Sequence, residues 1–166
     1  MRYTVISGWK SGPQELARKL ISKYGPPQEV TAHRLVWHNN SPWRRTVVFN
    51  QEVAHNFPRP HHDMLEQTVS LRVPAEKVRE LAAFNGSLLI DRTRGEISAR
   101  CDSEEANTAA INLAYEILSH SKTWEEARRA YAEAMLQGKY EDYKSRLLYL
   151  QPVANQGTAD DPYRGR

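Results

Sequence analysis

Residues 65–73 read Leu65-Glu66-Gln67-Thr68-Val69-Ser70-Leu71-Arg72-Val73, and this stretch decides the fold. Leu65, Val69, Leu71 and Val73 share one side of an extended chain, interrupted only by Gln67. Glu66, Thr68, Ser70 and Arg72 share the other. A period of two with one apolar side marks a half-buried antiparallel strand, because a parallel strand covered on both faces is apolar throughout.

Towards the C-terminus, Pro74-Ala75-Glu76 opens a short helix carrying Val78, Leu81 and Ala82, and Asn85-Gly86 ends it. Ser87 to Asp91 and Glu96 to Cys101 then form a hairpin around Arg92-Thr93-Arg94-Gly95. Its Arg92, Arg94 and Arg100 read as cross-strand ion partners of Asp91 and Glu96. Beyond it the chain turns helical. Asp102 is expected to cap a helix with Glu105 completing the box, and its apolar face is Ala106, Ala109, Ala110, Leu113, Ala114, Ile117 and Leu118. Thr123-Trp124-Glu125-Glu126 is a second capping box, and Gly138 breaks the helix that follows. Tyr140, Tyr143 and Leu147 mark a third helix, and residues 152–166 read as a flexible tail poor in apolar side chains.

Towards the N-terminus, Thr46 to Phe49 pairs back through the turn Asn39-Asn40-Ser41-Pro42 onto a strand from Val30 to Trp37. Residues 50–64, rich in Pro, His and Asn, are expected to form a long ordered loop with at most a short strand near Val53. Ser11 caps a helix with Leu16, Leu20 and Ile21 on its inner side, and Tyr3 to Ile6 reads as a short strand before it. The expected fold is α+β: one domain over residues 1–151, an antiparallel sheet crossed by short helices, with a helical C-terminal half.

The 166 residues suffice for one real core, and a mean hydropathy of −0.71 describes a polar globule. With a single cysteine, Cys101, no internal disulfide can form. Cys101 itself reads as a small core residue, and a cytoplasmic location is expected. No stretch approaches the ~20 apolar residues of a membrane span. Residues 1–73 hold ten basic against five acidic residues, a net +5, while the remainder carries −2. That asymmetry favours an anionic small molecule or protein partner over nucleic acid, which needs a denser basic field.

Five of the six histidines lie between His33 and His62. Imidazole titrates near neutrality and is the commonest metal ligand, so any site is expected there. His33 falls on the apolar side of its strand and reads as a core residue, while His38 falls on the exposed side. Adjacent His61 and His62 splay apart, so a site takes one of them with His55 or His38 from across the loop. His38, His55, His61, His62 and Asp63 are therefore the candidate ligands of a divalent metal, although no H-E-x-x-H or C-x-x-C spacing is present. A second set, Arg34, Trp43, Arg44, Arg45 and Arg59, combines indole with guanidinium and suits a flat anionic ligand. Gly8-Trp9-Lys10-Ser11-Gly12 lacks P-loop spacing and reads as a capped turn.

These features give a leading expectation of a non-catalytic module that binds an anionic ligand or partner through residues 33–63. The first alternative is a metal-assisted or histidine-based hydrolase using the same region, with Asp63 orienting an imidazole or joining the metal shell. The second is a structural subunit, homo-oligomeric or partnered, that associates through Tyr115, Tyr131, Tyr140, Tyr143 and Tyr149.

Overall fold

The computed structural model describes residues 4–139 and Tyr143. Six antiparallel strands form one sheet in the order β1-β2-β3-β4-β6-β5: β1 (Glu29–Val30), β2 (Arg34–His38), β3 (Arg45–His55), β4 (His61–Ser70), β5 (Leu88–Asp91) and β6 (Glu96–Cys101). Four α-helices accompany them: α1 (Ser11–Tyr24), α2 (Val78–Phe84), α3 (Glu104–Leu118) and α4 (Trp124–Gln137). The fold is α+β, a single domain with a helical C-terminal half.

Register explains where the core sits. Leu35, Val48, Leu65 and Cys101 are successive cross-strand partners, so all four point to one face. On that face α1 brings Leu16, Ala17 and Leu20 against Leu35, Trp37, Val48 and Leu65. Beside it α3 and α4 cover Val69, Ile97, Ala99 and Cys101 with Ala110, Ile111, Leu113 and Tyr131. The strand read from residues 65–73 ends at Ser70, but Leu71 and Val73 beyond it still join the second cluster, so the apolar stripe serves both.

Gln67 lies between them. Fully buried, its side-chain amide donates to Glu104 Oε1 (2.7 Å) and Thr46 Oγ1 (3.3 Å), and its Oε1 accepts from Asn107 Nδ2 (3.3 Å). Glu104, at the start of α3, also accepts from Lys23 Nζ and Tyr24 OH, both at 2.6 Å. This polar seam ties the end of α1, the sheet and the start of α3 together.

The opposite face is polar. Thr68 and Ser98 hydroxyls meet at 2.8 Å, Arg45 Nη2 donates to Glu96 Oε2 (3.1 Å), and Arg100 Nε donates to Glu66 Oε2 (2.7 Å). Glu96 and Arg100 are therefore paired across other strands rather than with each other, while Arg94 does pair with Asp91 (3.5 Å).

Several sequence expectations are corrected. Residues 4–8 form a 3-10 turn rather than a strand, closed by Gln14 Nε2 donating to Ile6 O (2.6 Å). Lys10, not Ser11, precedes α1, and its N–H is satisfied by Asn50 Oδ1 (3.0 Å). A turn over 31–33 divides β1 from β2 and leaves His33 exposed instead of in the core. The cap of α3 is Ser103, whose hydroxyl accepts from Ala106 N, rather than Asp102. The largest correction concerns residues 50–64, where β3 runs on to His55 and β4 begins at His61, leaving only 56–60 as turn.

The cap of α4 is as expected: Thr123 Oγ1 accepts from Glu126 N (3.2 Å), and Glu126 Oε2 accepts from Thr123 N (2.8 Å). Gly138 ends α4 in the left-handed conformation, φ 66°. Thr123→Ala should lower stability by about 1 kcal/mol, the usual worth of such a cap, read as a shift of the urea midpoint at unchanged slope. The expected third helix at 140–147 (apart from Tyr143) and the tail at 152–166 lie outside the described residues.

Candidate metal centre and adjoining pocket

Between Val48 and Val53 the β3–β4 register shifts. Val48 faces Leu65 and Val53 faces Asp63, so five steps along β3 match two along β4. Because side chains alternate, an odd number of steps exchanges the faces of the strand. The irregularity therefore turns His55 to the same side as its partner His61 and as Asp63, which it would otherwise oppose.

His61 is oriented from behind. Its Nδ1 lies 2.8 Å from Arg59 O, which can only accept, so Nδ1 carries the proton and Nε2 is the presented atom. Nε2 lies 3.1 Å from Asp63 Oδ1 and 3.4 Å from Cys101 Sγ. His55 Nδ1 lies 3.3 Å from Asp63 Oδ2 and 3.2 Å from Ser87 Oγ, while the Ser87 hydroxyl donates to Asp63 Oδ2. Each imidazole thus turns one nitrogen to one carboxylate oxygen. The three donor atoms lie within 4.8 Å of one another. Side-chain exposure is 4% for His61, 6% for Asp63 and 18% for His55, so a bare carboxylate here would be poorly solvated.

The support is aromatic. Phe57, in the turn joining β3 to β4, packs on Tyr131 of α4 with ring centroids 5.8 Å apart, and the Arg128 guanidinium sits 3.5 Å above the Phe57 ring. Tyr131 meets Phe84 edge-on at 5.9 Å, and its hydroxyl is 3.6 Å from Cys101 Sγ. Burial, then the nearby Asp102 charge, pushes the Cys101 thiol up to about 12, so it stays protonated and is no nucleophile.

Asp63 and Ser87 also line an adjoining pocket of about 390 Å³, whose walls include Phe49, Val53, Leu89 and Arg100. Of the three donors, only Asp63 is among the described lining residues of this cavity of small-molecule size.

Of the expected ligands, His55, His61 and Asp63 come together and the other two do not. His62 is exposed on the opposite face, paired with Ala54. His38 pairs with Arg45, at the far end of β3 from His55, on the order of 30 Å along the strand. Its Nε2 meets Glu29 Oε1 at 2.6 Å. The arginine–tryptophan set is dispersed. Trp43 is 3% exposed within the core, Arg45 is held by Glu96, and Arg34 is exposed across from Phe49. Arg44 is exposed beside Trp43, and Arg59 is exposed in the turn before His61. Cys101, at the end of β6, and Ser87, in the turn before β5, carried no local signal in the sequence.

No helix among the described residues is long and apolar enough to cross a membrane. No family model, curated protein or solved structure matches the chain.

Proposed function

We propose that this protein is a metal-assisted hydrolase with a centre of two histidines and one carboxylate, His55, His61 and Asp63. The observation that carries the reading is the convergence of three donor atoms within 4.8 Å at the edge of a pocket. Three protein donors leave a tetrahedral position open, the pattern of catalytic rather than structural zinc. A bound zinc ion supplies Lewis-acid polarisation of a scissile carbonyl or phosphoryl group and acidifies water at neutral pH. The chain does the positioning. Arg59 O fixes the His61 ring from its far side, the kind of second contact that sets tautomer and angle in metal-binding histidines. Ser87 holds the Asp63 carboxylate, and both residues are shared with the adjoining pocket. Phe57, Tyr131 and Arg128 close it from behind. A cytoplasmic location belongs to this proposal as well, on the single buried cysteine.

The non-catalytic reading rests on the net +5 of residues 1–73, the His/Trp/Arg concentration of residues 33–63 and the absence of a recognisable catalytic motif; of these, the burial of Trp43 bears only on the stacking ring. The test is zinc titration calorimetry and elemental analysis on untagged protein, with His61→Ala, Asp63→Asn and His38→Ala beside the wild type. We expect about one zinc per chain, an affinity loss of at least ~100-fold for His61→Ala and Asp63→Asn, and none for His38→Ala. Chelator-sensitive hydrolysis of nitrophenyl acetate completes the result. A wild type that binds no zinc, nickel or manganese overturns the metal reading.

A further inference from the structure

Two turns, distant in the chain, hold the side chains of the centre. The turn at 56–60 leads into His61 and places Arg59 O behind its ring. The turn at 85–87 supplies Ser87, whose N–H donates to Asn85 Oδ1 (2.9 Å) and whose hydroxyl donates to Asp63 Oδ2. Arg128 of α4 touches both. Its Nη1 donates to the carbonyl of Phe84 (2.9 Å), the last residue of α2 and the one before Asn85. That bond satisfies one of the carbonyls that a helix end leaves without an intrahelical partner. Its guanidinium carbon also sits 3.5 Å from the centre of the Phe57 ring, in the other turn. A guanidinium can do both at once, because its N–H donors lie in the plane that stacks on the ring. Tyr131, three residues further along α4, packs on the same ring, and Phe57 in turn lies beside His55 with ring centroids 6.5 Å apart. Both arms of the centre thus hang from one helix, which Ala127, Tyr131 and Met135 seat in the core.

We infer that Arg128 is the positioning residue of this centre. One guanidinium fixes the His61 turn and the Ser87 turn relative to each other, and so keeps His55, His61 and Asp63 at metal-binding spacing. The role rests on the metal reading proposed above, whereas the two contacts do not. Its sign separates it from plain electrostatics. Arg128 is a cation, so by charge alone it repels a divalent ion, and neutralising it would raise metal affinity. Positioning predicts the reverse: without the clamp the two turns drift apart, the donors leave their register and affinity falls. Lysine is no substitute, because an ammonium keeps the charge but has no face to rest on Phe57 while it donates to Phe84.

The test is zinc titration calorimetry of the full chain for wild type, Arg128→Met, Arg128→Lys and Arg129→Met, with NMR of the same proteins free of metal. We expect Arg128→Met to lose about tenfold in zinc affinity and Arg128→Lys to stay at least ~threefold below wild type. Arg129, exposed on the same helix, is the charge control, and its variant should not lose affinity. The absorption spectrum of the cobalt(II)-saturated protein reports the geometry of the folded, loaded site, so loss of stability alone does not move it. It should change in Arg128→Met and stay unchanged in Arg129→Met. In the metal-free protein, Arg128→Met should shift both the His61 imidazole and the Ser87 amide signals. Should Arg128→Met not fold, Arg128→Lys carries the same comparisons. Zinc affinity equal to or above wild type in Arg128→Met, an unchanged cobalt spectrum, full rescue by lysine, or a shift confined to one turn overturns the inference. A wild type that binds no metal while both turns respond to Arg128→Met overturns the hydrolase reading alone and keeps Arg128 as the link between the turns.

Discussion

Glu104→Ala is expected to remove about 3 kcal/mol of stability, because it leaves buried donors without an acceptor. Gln67 Nε2 loses its 2.7 Å partner in a place water does not reach, and Tyr24 OH and Lys23 Nζ lose theirs. The Lys23 end is 54% exposed and can return to water, so most of the cost comes from Gln67 and Tyr24. Glu104→Gln keeps the shape and removes the charge, and should cost about 2 kcal/mol at pH 7, the range for hydrogen bonds to an ionised group.

The two proteins should then converge in acid. Burial opposes ionisation of Glu104, but the hydrogen bonds from Lys23, Tyr24 and Gln67 outweigh it and hold the carboxyl below the ordinary glutamate value. Tyr24, pushed up to about 12 by burial and then by its bond to Glu104, remains a donor throughout. A depressed carboxyl means that the unfolded chain binds the proton more tightly. Its stabilisation is complete above the unfolded glutamate pKa and is lost as pH falls through the folded one. Urea melts of wild type and Glu104→Gln at pH 7, 5, 4 and 3 check this. A difference that stayed constant to pH 3 would show that the seam does not depend on the Glu104 charge.

The other large effect is expected from Tyr131→Ala, at about 4 kcal/mol. Tyr131 is 1% exposed and fills the space between Phe84, Phe57 and Cys101. Its removal opens a cavity and withdraws the platform on which Phe57 rests, so the turn before His61 loosens. Zinc affinity should fall about tenfold as well, the scale seen when the support of a ligand rather than the ligand is removed. Tyr131→Phe keeps the ring and should cost about 1 kcal/mol or less. Phe57→Ala separates the effects, because it takes the turn's own anchor while leaving Tyr131 in place. It should reproduce the affinity loss with a smaller loss of stability. Unchanged zinc affinity in both alanine variants would detach the aromatic stack from the site.

Much of the architecture was legible because it rests on short-range patterns. The alternation at 65–73, the hairpin at 88–101 and the Thr123 cap each depend on residues within a few positions of one another. Gln67 was visible as the one polar interruption of an apolar face, but its reason was not, since its partner Glu104 lies 37 residues further on. The second half of β3 was hidden because Asn50, Gln51, Glu52 and His55 look like loop, and a register irregularity removes the period that would have marked a strand. The same irregularity decides which histidines meet. His61 and Asp63 share a side by simple alternation, whereas the side taken by His55 depends on the extra residues of β3. Ser87 and Cys101 approach the site only through strand pairing, which no local pattern encodes.

That dependence has a consequence for how such a site can arise or vanish. The outer part of β3 behaves as a counting device: its residue number, more than its composition, sets which way His55 points. Gaining or losing one residue between Val48 and Val53 would deliver His55 to the far side of the sheet, while every residue of the two core clusters kept its place. The proposed centre and the architecture are in that sense written in separable parts of the chain. A lineage could silence this centre, or build it, by a single codon insertion or deletion rather than by replacing a ligand.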